Sequence, residues 1–423
     1  MKTIVSPQIE RQPTAFYRWT VLFFISMAMF GNYYVYDSIS PLADLLKLQL
    51  GFSDKNIGTL NAIYSLPNIF MVVIGGIMID RIGAKKASMI FSGLCMIGAV
   101  ITGLKGELWL MATGRLIFGL GAESLIVAIT TVIAKWFKGK ELSFAFGLNL
   151  TIARLGTFTA LNSPFWAKGL YDSWKGPLLI AIVAGIVSFL SVVIYVILES
   201  DAKKRYHLGE ADKVDKVSLQ VFKNFNASFW YITLLCVTFY SAIFPFQTFA
   251  VKFFIEHHGI SRAMAGFTSS FITFASMIGT PLFGVLIDLK GKRASLMMLG
   301  SFLLIPVYLM LIYAPVHPLV PMIMMGVAFS LIPAAMWPSV ALIVKEQHLG
   351  TAYGLMTMVQ NIGLALFNYL IGWANDYSGE YTLGMWIFSI LGFFGIAFSY
   401  LLKQHDIKMG DGRLENLTVK DTA

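Results

Sequence analysis

The chain is 423 residues long, 57% hydrophobic and only 13% charged, with a formal net charge of +9 and a mean hydropathy of +0.71. Soluble domains carry roughly 25% charged residues, whereas here apolar stretches of about 20 residues, enough to cross a bilayer core, recur along nearly the whole chain. A polytopic membrane protein is indicated. Lys and Arg fall in short loops rather than on one basic face, which sets nucleic acid aside as a partner; the two cysteines, Cys95 and Cys236, lie in apolar segments and offer neither a disulfide framework nor metal-ligand spacing.

In chain order, residues 1–17 are polar and mildly basic and have no short apolar core with a cleavage site, so no removed signal peptide is expected. Twelve helical spans follow, near 18–40, 56–79, 87–104, 108–134, 142–166, 177–198, 228–252, 264–287, 294–313, 318–343, 351–373 and 383–402. With the N-terminus inside, 23 of the 32 Lys and Arg lie in inner segments, seven in outer ones and two, Arg115 and Arg154, within spans. That bias predicts cytoplasmic termini. The long polar stretch 199–226 divides the chain into six and six spans: an N-terminal bundle over 18–198, a cytoplasmic linker over 199–227, a C-terminal bundle over 228–402 and a cytoplasmic tail over 403–423. The Asn226-Ala-Ser and Asn416-Leu-Thr sequons fall on the cytoplasmic side in this topology and are discounted as glycosylation sites.

The halves repeat. Gly76-Ile-Met-Ile-Asp80-Arg81-Ile-Gly83-Ala-Lys-Lys86 returns as Gly284-Val-Leu-Ile-Asp288-Leu-Lys-Gly291-Lys-Arg293, 208 residues later, and Ala145-Phe-Gly147-Leu returns as Ala352-Tyr-Gly354-Leu, 207 residues later. Two ordered matches at nearly one offset signal duplication. The fold class expected is an all-α membrane protein of two pseudo-symmetric six-helix bundles, with a site near midplane between them.

These residues resemble the major facilitator superfamily. Gly76-x3-Asp80-Arg81-x-Gly83-x-Lys-Lys86 is similar to its loop 2–3 motif, and Leu108-x6-Arg115-x3-Gly119-x-Gly121-Ala to its fourth-helix motif. Gly114-Arg115-Leu-Ile-Phe-Gly-Leu-Gly-Ala-Glu123-Ser, Trp136-Phe-Lys-Gly-Lys-Glu-Leu, Ala153-Arg154-Leu-Gly, Leu349-Gly-Thr-Ala-Tyr-Gly354, Gly31-Asn-Tyr-Tyr-Val-Tyr36-Asp37 and Phe244-Pro-Phe resemble the branch called major facilitator superfamily domain-containing protein 1, a lysosomal dipeptide transporter with bacterial relatives. The resemblance implies rocker-switch transport by a uniporter or proton-coupled symporter, with Gly76, Asp80, Arg81, Gly83, Gly284, Asp288 and Gly291 in gating. Asp80 would meet the positive N-terminus of the eleventh helix and hold the cytoplasmic side closed; the alternative is a positive-inside loop with no gating role. No acidic dileucine precedes the first span, so a bacterial cytoplasmic membrane is expected rather than a lysosomal one.

Charges inside spans are costly and mark pathways. Four stand out, all in the first half: Asp37, Arg115, Glu123 and Arg154. Glu123 and Arg154 share a midplane depth. They form either a structural ion pair or a split dipole, in which Arg154 takes a dipeptide carboxylate through its planar fork and Glu123 the ammonium, the arrangement the branch resemblance implies. Tyr36, Tyr240, Gln247, Trp337, Gln360 and Asn361 are the further candidates for substrate binding. Asp37 with Arg115 is the candidate proton relay; the alternatives are an anchoring pair or an Asp37 wet at the outer mouth. The expected substrate is a dipeptide or other small zwitterion, and the expected surroundings are the lipid bilayer, with a monomer sufficing. A carboxylate carrier using Arg115 and Arg154, and a non-transporting receptor, are the competing readings. The chain contains no HExxH, GxSxG or Walker loop, so no enzyme, catalytic residue, metal or cofactor is expected.

Overall fold

The computed structural model of the protein describes residues 13–137, 141–206, 225–345, 348–409 and 412–416, which are almost entirely helical and include no strand. The N-terminal segment to residue 12, residues 138–140 of the Trp136 motif, linker residues 207–224 and the tail beyond 416 lie outside the described residues. The first half forms α1 (Ala15–Asp37), α2 (Ala43–Leu50), α3 (Asp54–Ile82), α4 (Ala84–Leu104), α5 (Leu108–Phe137), α6 (Leu142–Leu161), α7 (Ser163–Trp166) and α8 (Lys175–Arg205). The second forms α9 (Ala227–Glu256), α10 (Arg262–Lys290), α11 (Arg293–Tyr313), α12 (Leu319–Ile343), α13 (Leu349–Ser378) and α14 (Thr382–Met409). Twelve of these helices are long. Eleven are long and apolar enough to cross a membrane; α1 falls short because Asn32, Tyr33, Tyr34, Tyr36 and Asp37 crowd its final turns.

Local chemistry explains the ends. Ser53 and Ser261, 208 residues apart like the sequence repeat, cap α3 and α10 by accepting from the amides of Asn56 and Met264. Gly83 and Gly291 close the matching loops with φ of +82° and +67°, values that suit a residue without Cβ. The fifth span, expected to run unbroken over 142–166, stops at Leu161. Pro164 cannot donate to the Ala160 carbonyl, and Ser163 Oγ takes that oxygen at 2.6 Å. The sixth continues past 198 to Arg205, since Glu199 is buried rather than solvated, accepting from Lys135 Nζ at 2.6 Å and Trp136 Nε1 at 2.7 Å.

Within the first half α4 packs on α5 and α8, α3 on α5, and α1 on α6 and α8; in the second, α12 packs on α10 and α11, and α9 on α13 and α14. The halves meet along two seams, α3 on α13 and α6 on α10. The first seam is tight where α3 begins and α13 ends. A Cβ on Gly58 would strike the Asn368 carbonyl, and one on Gly372 the Asp54 carbonyl. Toward the opposite end, which bears Arg81, Lys85, Lys86, Lys290 and Arg293 and is here called the basic end, Gly76, Gly147, Gly284 and Gly354 have nothing within 4 Å of an added Cβ. The halves touch at one end and part at the other.

Candidate functional site

The parting halves enclose a central cavity of about 260 Å³, small for a ligand pocket and suited to a small solute. Helical spacing decides who lines it. Asn32, Tyr33 and Tyr36 come from one face of α1, Tyr64 from α3, Glu123 and Ile126 from α5, and Arg154 from α6. The second half contributes Tyr240 and Phe244 from α9, Trp337 from α12, and Thr357, Gln360, Asn361 and Leu364 from α13. The α13 set follows the i, i+3, i+4, i+7 rule for one face.

Glu123 and Arg154 are both half-buried on this wall. Among the described residues no ion pair joins them; the Arg154 guanidinium instead lies 5.2 Å from the ring centre of Phe329, across the bundle interface. Tyr36, Tyr240, Trp337, Gln360 and Asn361 share the cavity with them, while Gln247 does not. Gln247 lines a separate pocket of about 10 Å³ with Asp37, Ser40, Asn61 and Thr248, divided from the main cavity by Tyr36 and Phe244, which line both. Its Nε2 is buried without a protein partner.

Arg115 is elsewhere. It is 1% exposed and donates to the carbonyls of Val35 and Tyr36, each at 3.1 Å, to Leu60 O at 3.5 Å and to Asn61 Oδ1 at 2.7 Å. The guanidinium thus caps the C-terminal carbonyls of α1, where a cation also opposes the helix dipole. Asp37 is buried rather than wet, and it accepts from Thr157 Oγ1 at 2.6 Å. Arg115 and Asp37 are not paired with each other.

The gating set is divided. Gly75 lets α3 meet Ser124, whereas a Cβ on Gly76 would have nothing within 4 Å. Asp80 and Arg81 are exposed, and Asp288 pairs with Arg293 of its own half at 3.0 Å. Among the described residues every hydrogen bond and ion pair between the halves lies toward the other end. Lys252, at the end of the span expected over 228–252 and one of the seven cations counted as outer, is 1% exposed on α9; its Nζ lies 2.6 Å from Asp54 Oδ1, 2.7 Å from Tyr381 OH and 3.1 Å from Glu256 Oε2. Asn375 donates to Asp54 Oδ2 at 3.1 Å. Asp376 accepts the amides of Asp54 and Lys55 at 2.8 Å each, and Arg262 holds Asp44 of α2 at 2.5 Å. Sequence reasoning missed this clasp because its members are ordinary loop-flanking charges in one dimension. It also missed Asn32, Tyr33 and Tyr64 on the cavity wall; the polar face they give α1 and α3 was the available signal.

The fold and cavity define a membrane transporter of the two-bundle kind, and comparison with known proteins gives the family. The Major Facilitator Superfamily model matches residues 22–366 and 246–415, and the chain belongs to that superfamily, whose members and relatives here are transporters rather than enzymes. It is 33% identical over 388 residues to the lysosomal dipeptide transporter MFSD1 of Danio rerio, covering 89% of this chain and 84% of that one. It is likewise 33% identical over 376 residues to MFSD1 of Homo sapiens, covering 86% and 81%. Among solved structures, a bacterial homologue of the human lysosomal transporter Spinster, inward-facing and occupied, aligns with a TM-score of 0.75 at 16% identity, over 94% of this chain and 99% of that one.

Proposed function

We propose that the protein is a secondary transporter of small zwitterions, dipeptides first, working by alternating access. One observation carries the reading: Glu123 and Arg154 share one cavity wall without neutralising each other. A paired couple would have no use for a ligand, but two separated opposite charges in a site of low dielectric favour a ligand that brings the complementary pair. Arg154 suits a carboxylate and Glu123 an ammonium. The similarity to lysosomal dipeptide transporters supports the same class. The positive-inside rule turns the basic end to the cytoplasm, which makes this conformation inward-facing, in a bacterial cytoplasmic membrane. A carboxylate carrier using two arginines is less favoured, because Arg115 lies off the cavity wall with its donors taken up by backbone and Asn61.

Uptake of labelled dialanine by proteoliposomes, with oxalate and a sugar as controls, tests the class. Glu123→Gln is expected to weaken free dipeptides about tenfold or more, yet to leave N-acetylated ones little changed, since acetylation removes the ammonium. Arg154→Lys is expected to fail for both, because a point charge does not reproduce the fork. Equal loss of free and acetylated dipeptides in Glu123→Gln, with recovery in the charge-swapped Glu123→Arg/Arg154→Glu protein, would assign the two residues a structural role.

A further inference from the structure

The wall of the cavity is divided by charge as well as by chemistry. Both charged residues on it, Glu123 and Arg154, come from the first half, and everything contributed by the second half is neutral. Three of those neutral residues are aromatic, and they are tied together. Tyr240 stacks on Phe244 with ring centres 5.6 Å apart at 10°, and Trp337 Nε1 donates to Tyr240 OH at 3.0 Å. The Trp337 ring is also braced from behind by Tyr353, whose hydroxyl donates to the Trp337 carbonyl at 3.0 Å and whose ring lies 6.0 Å away. With its one polar atom occupied, Trp337 has only an apolar π surface to offer a ligand. The α13 amides have likewise spent one atom each inside the protein. Gln360 Oε1 accepts from Cys236 Sγ at 3.5 Å, and Asn361 Nδ2 donates to Thr357 O at 3.0 Å. What remains, the Gln360 N–H2 and the Asn361 oxygen, suits a peptide group and brings no formal charge.

From this division we infer a side-chain subsite in the second half that selects uncharged, preferentially aromatic, dipeptide side chains, with Trp337 as the residue that sets the preference. The inference rests on the dipeptide reading above. If the substrate's two charged ends are held by Glu123 and Arg154 of the first half, a side chain directed away from them meets the aromatic and amide wall of the second half. An aromatic side chain there gains apolar burial and offset stacking. A lysine or aspartate side chain would bring a third charge to a wall with no counter-charge, and its desolvation would go uncompensated.

The test is competition against labelled dialanine uptake in proteoliposomes by unlabelled Ala-Ala, Ala-Phe, Phe-Ala, Ala-Lys and Ala-Asp, at one pH near neutrality. In the unmodified protein, Ala-Phe or Phe-Ala is expected to half-inhibit at a concentration about tenfold below that of Ala-Ala, and further below Ala-Lys and Ala-Asp, in line with the selectivity apolar pockets deliver. Trp337→Ala is expected to shrink the Ala-Phe to Ala-Ala ratio to about threefold or less, and Trp337→Phe to retain most of it; thermal unfolding of the purified variants verifies that each is folded. Ala-Lys or Ala-Asp competing as well as Ala-Phe in the unmodified protein, which needs no variant to fold, would overturn the subsite, as would an unchanged ratio in Trp337→Ala. Failure of labelled dialanine to be taken up at all would overturn the dipeptide reading itself, and is told apart by being seen before any competitor is added.

Discussion

The two ends of the molecule use the same device in opposite states. At the basic end stands the motif that the sequence advertises, an Asp at the end of α3 expected to face the N-terminus of α13; in this conformation Asp80 is exposed and meets nothing of the second half. At the other end the mirror arrangement is made. Asp376, near the end of α13, accepts the first amides of α3 at 2.8 Å, placing an anion on a helix N-terminus from across the bundle interface. Near it two more pairs join the halves at this end, the buried Lys252–Asp54 pair between α9 and α3 and the Arg262–Asp44 pair between α10 and α2. The difference teaches that a recognisable motif is not where the bonds are in every state: the end without a familiar signature carries the polar contacts that hold this one.

Breaking the clasp should have the largest effect. Lys252→Met leaves Asp54 buried without its cation, a penalty of about 3–5 kcal/mol for a buried pair, which the molecule escapes by opening that end and hydrating the carboxylate. Spin-label pairs across each end should then report separation at the clasped end and approach at the basic end, and Lys252→Met with Asp54→Asn should restore the original distances in large part. Distances unchanged in Lys252→Met would remove the clasp from the account. Asp376→Ala ranks next: it deletes two charge-assisted bonds, but Asp376 is exposed, so water replaces much of what is lost; the same labels should move in the same direction by a smaller population. The Asp80 contact is a weaker lever, about 0.3–1 kcal/mol when exposed and up to ~2 kcal/mol when partly buried. Asp80→Asn should leave distances alone in the unmodified protein, where the contact is not made, and should shift them in the Lys252→Met background, where it can form. A shift in the unmodified protein and none in the double variant would reverse the comparison drawn between the ends.

The smallest effect concerns the loop beside the clasp. Burial first, and then His257, hold the His258 imidazole below its ordinary pKa. Because the folded value lies below the unfolded one, His258 contributes stability that is present above about pH 6.5 and is lost as pH falls through the folded value. His258→Phe should flatten the decline of the unfolding temperature toward pH 5, and an identical decline would clear this histidine of the role.

Much of the fold was legible because it rests on one-dimensional quantities. Span length is a matter of summed hydropathy, and the internal repeat is a matter of matched words; both are properties of contiguous residues, so α9 and α11 begin within a residue of where the apolar pattern begins. The cost of charge in a bilayer likewise picked out Glu123, Arg154, Arg115 and Asp37 without any coordinates. What no local pattern contains is which of them meet. Arg115 spends its donors on the end of α1, Asp37 bonds to Thr157, and Glu123 and Arg154 share a wall unpaired. Those outcomes depend on the rotation of each helix about its own axis and on contacts between residues as far apart as Asp54 and Asp376. Hydropathy and spacing therefore determined the class, the spans and the duplication of this protein. Tertiary packing alone decided which end is joined, because an ion pair or a capped helix end exists only when two distant segments arrive within hydrogen-bond distance together.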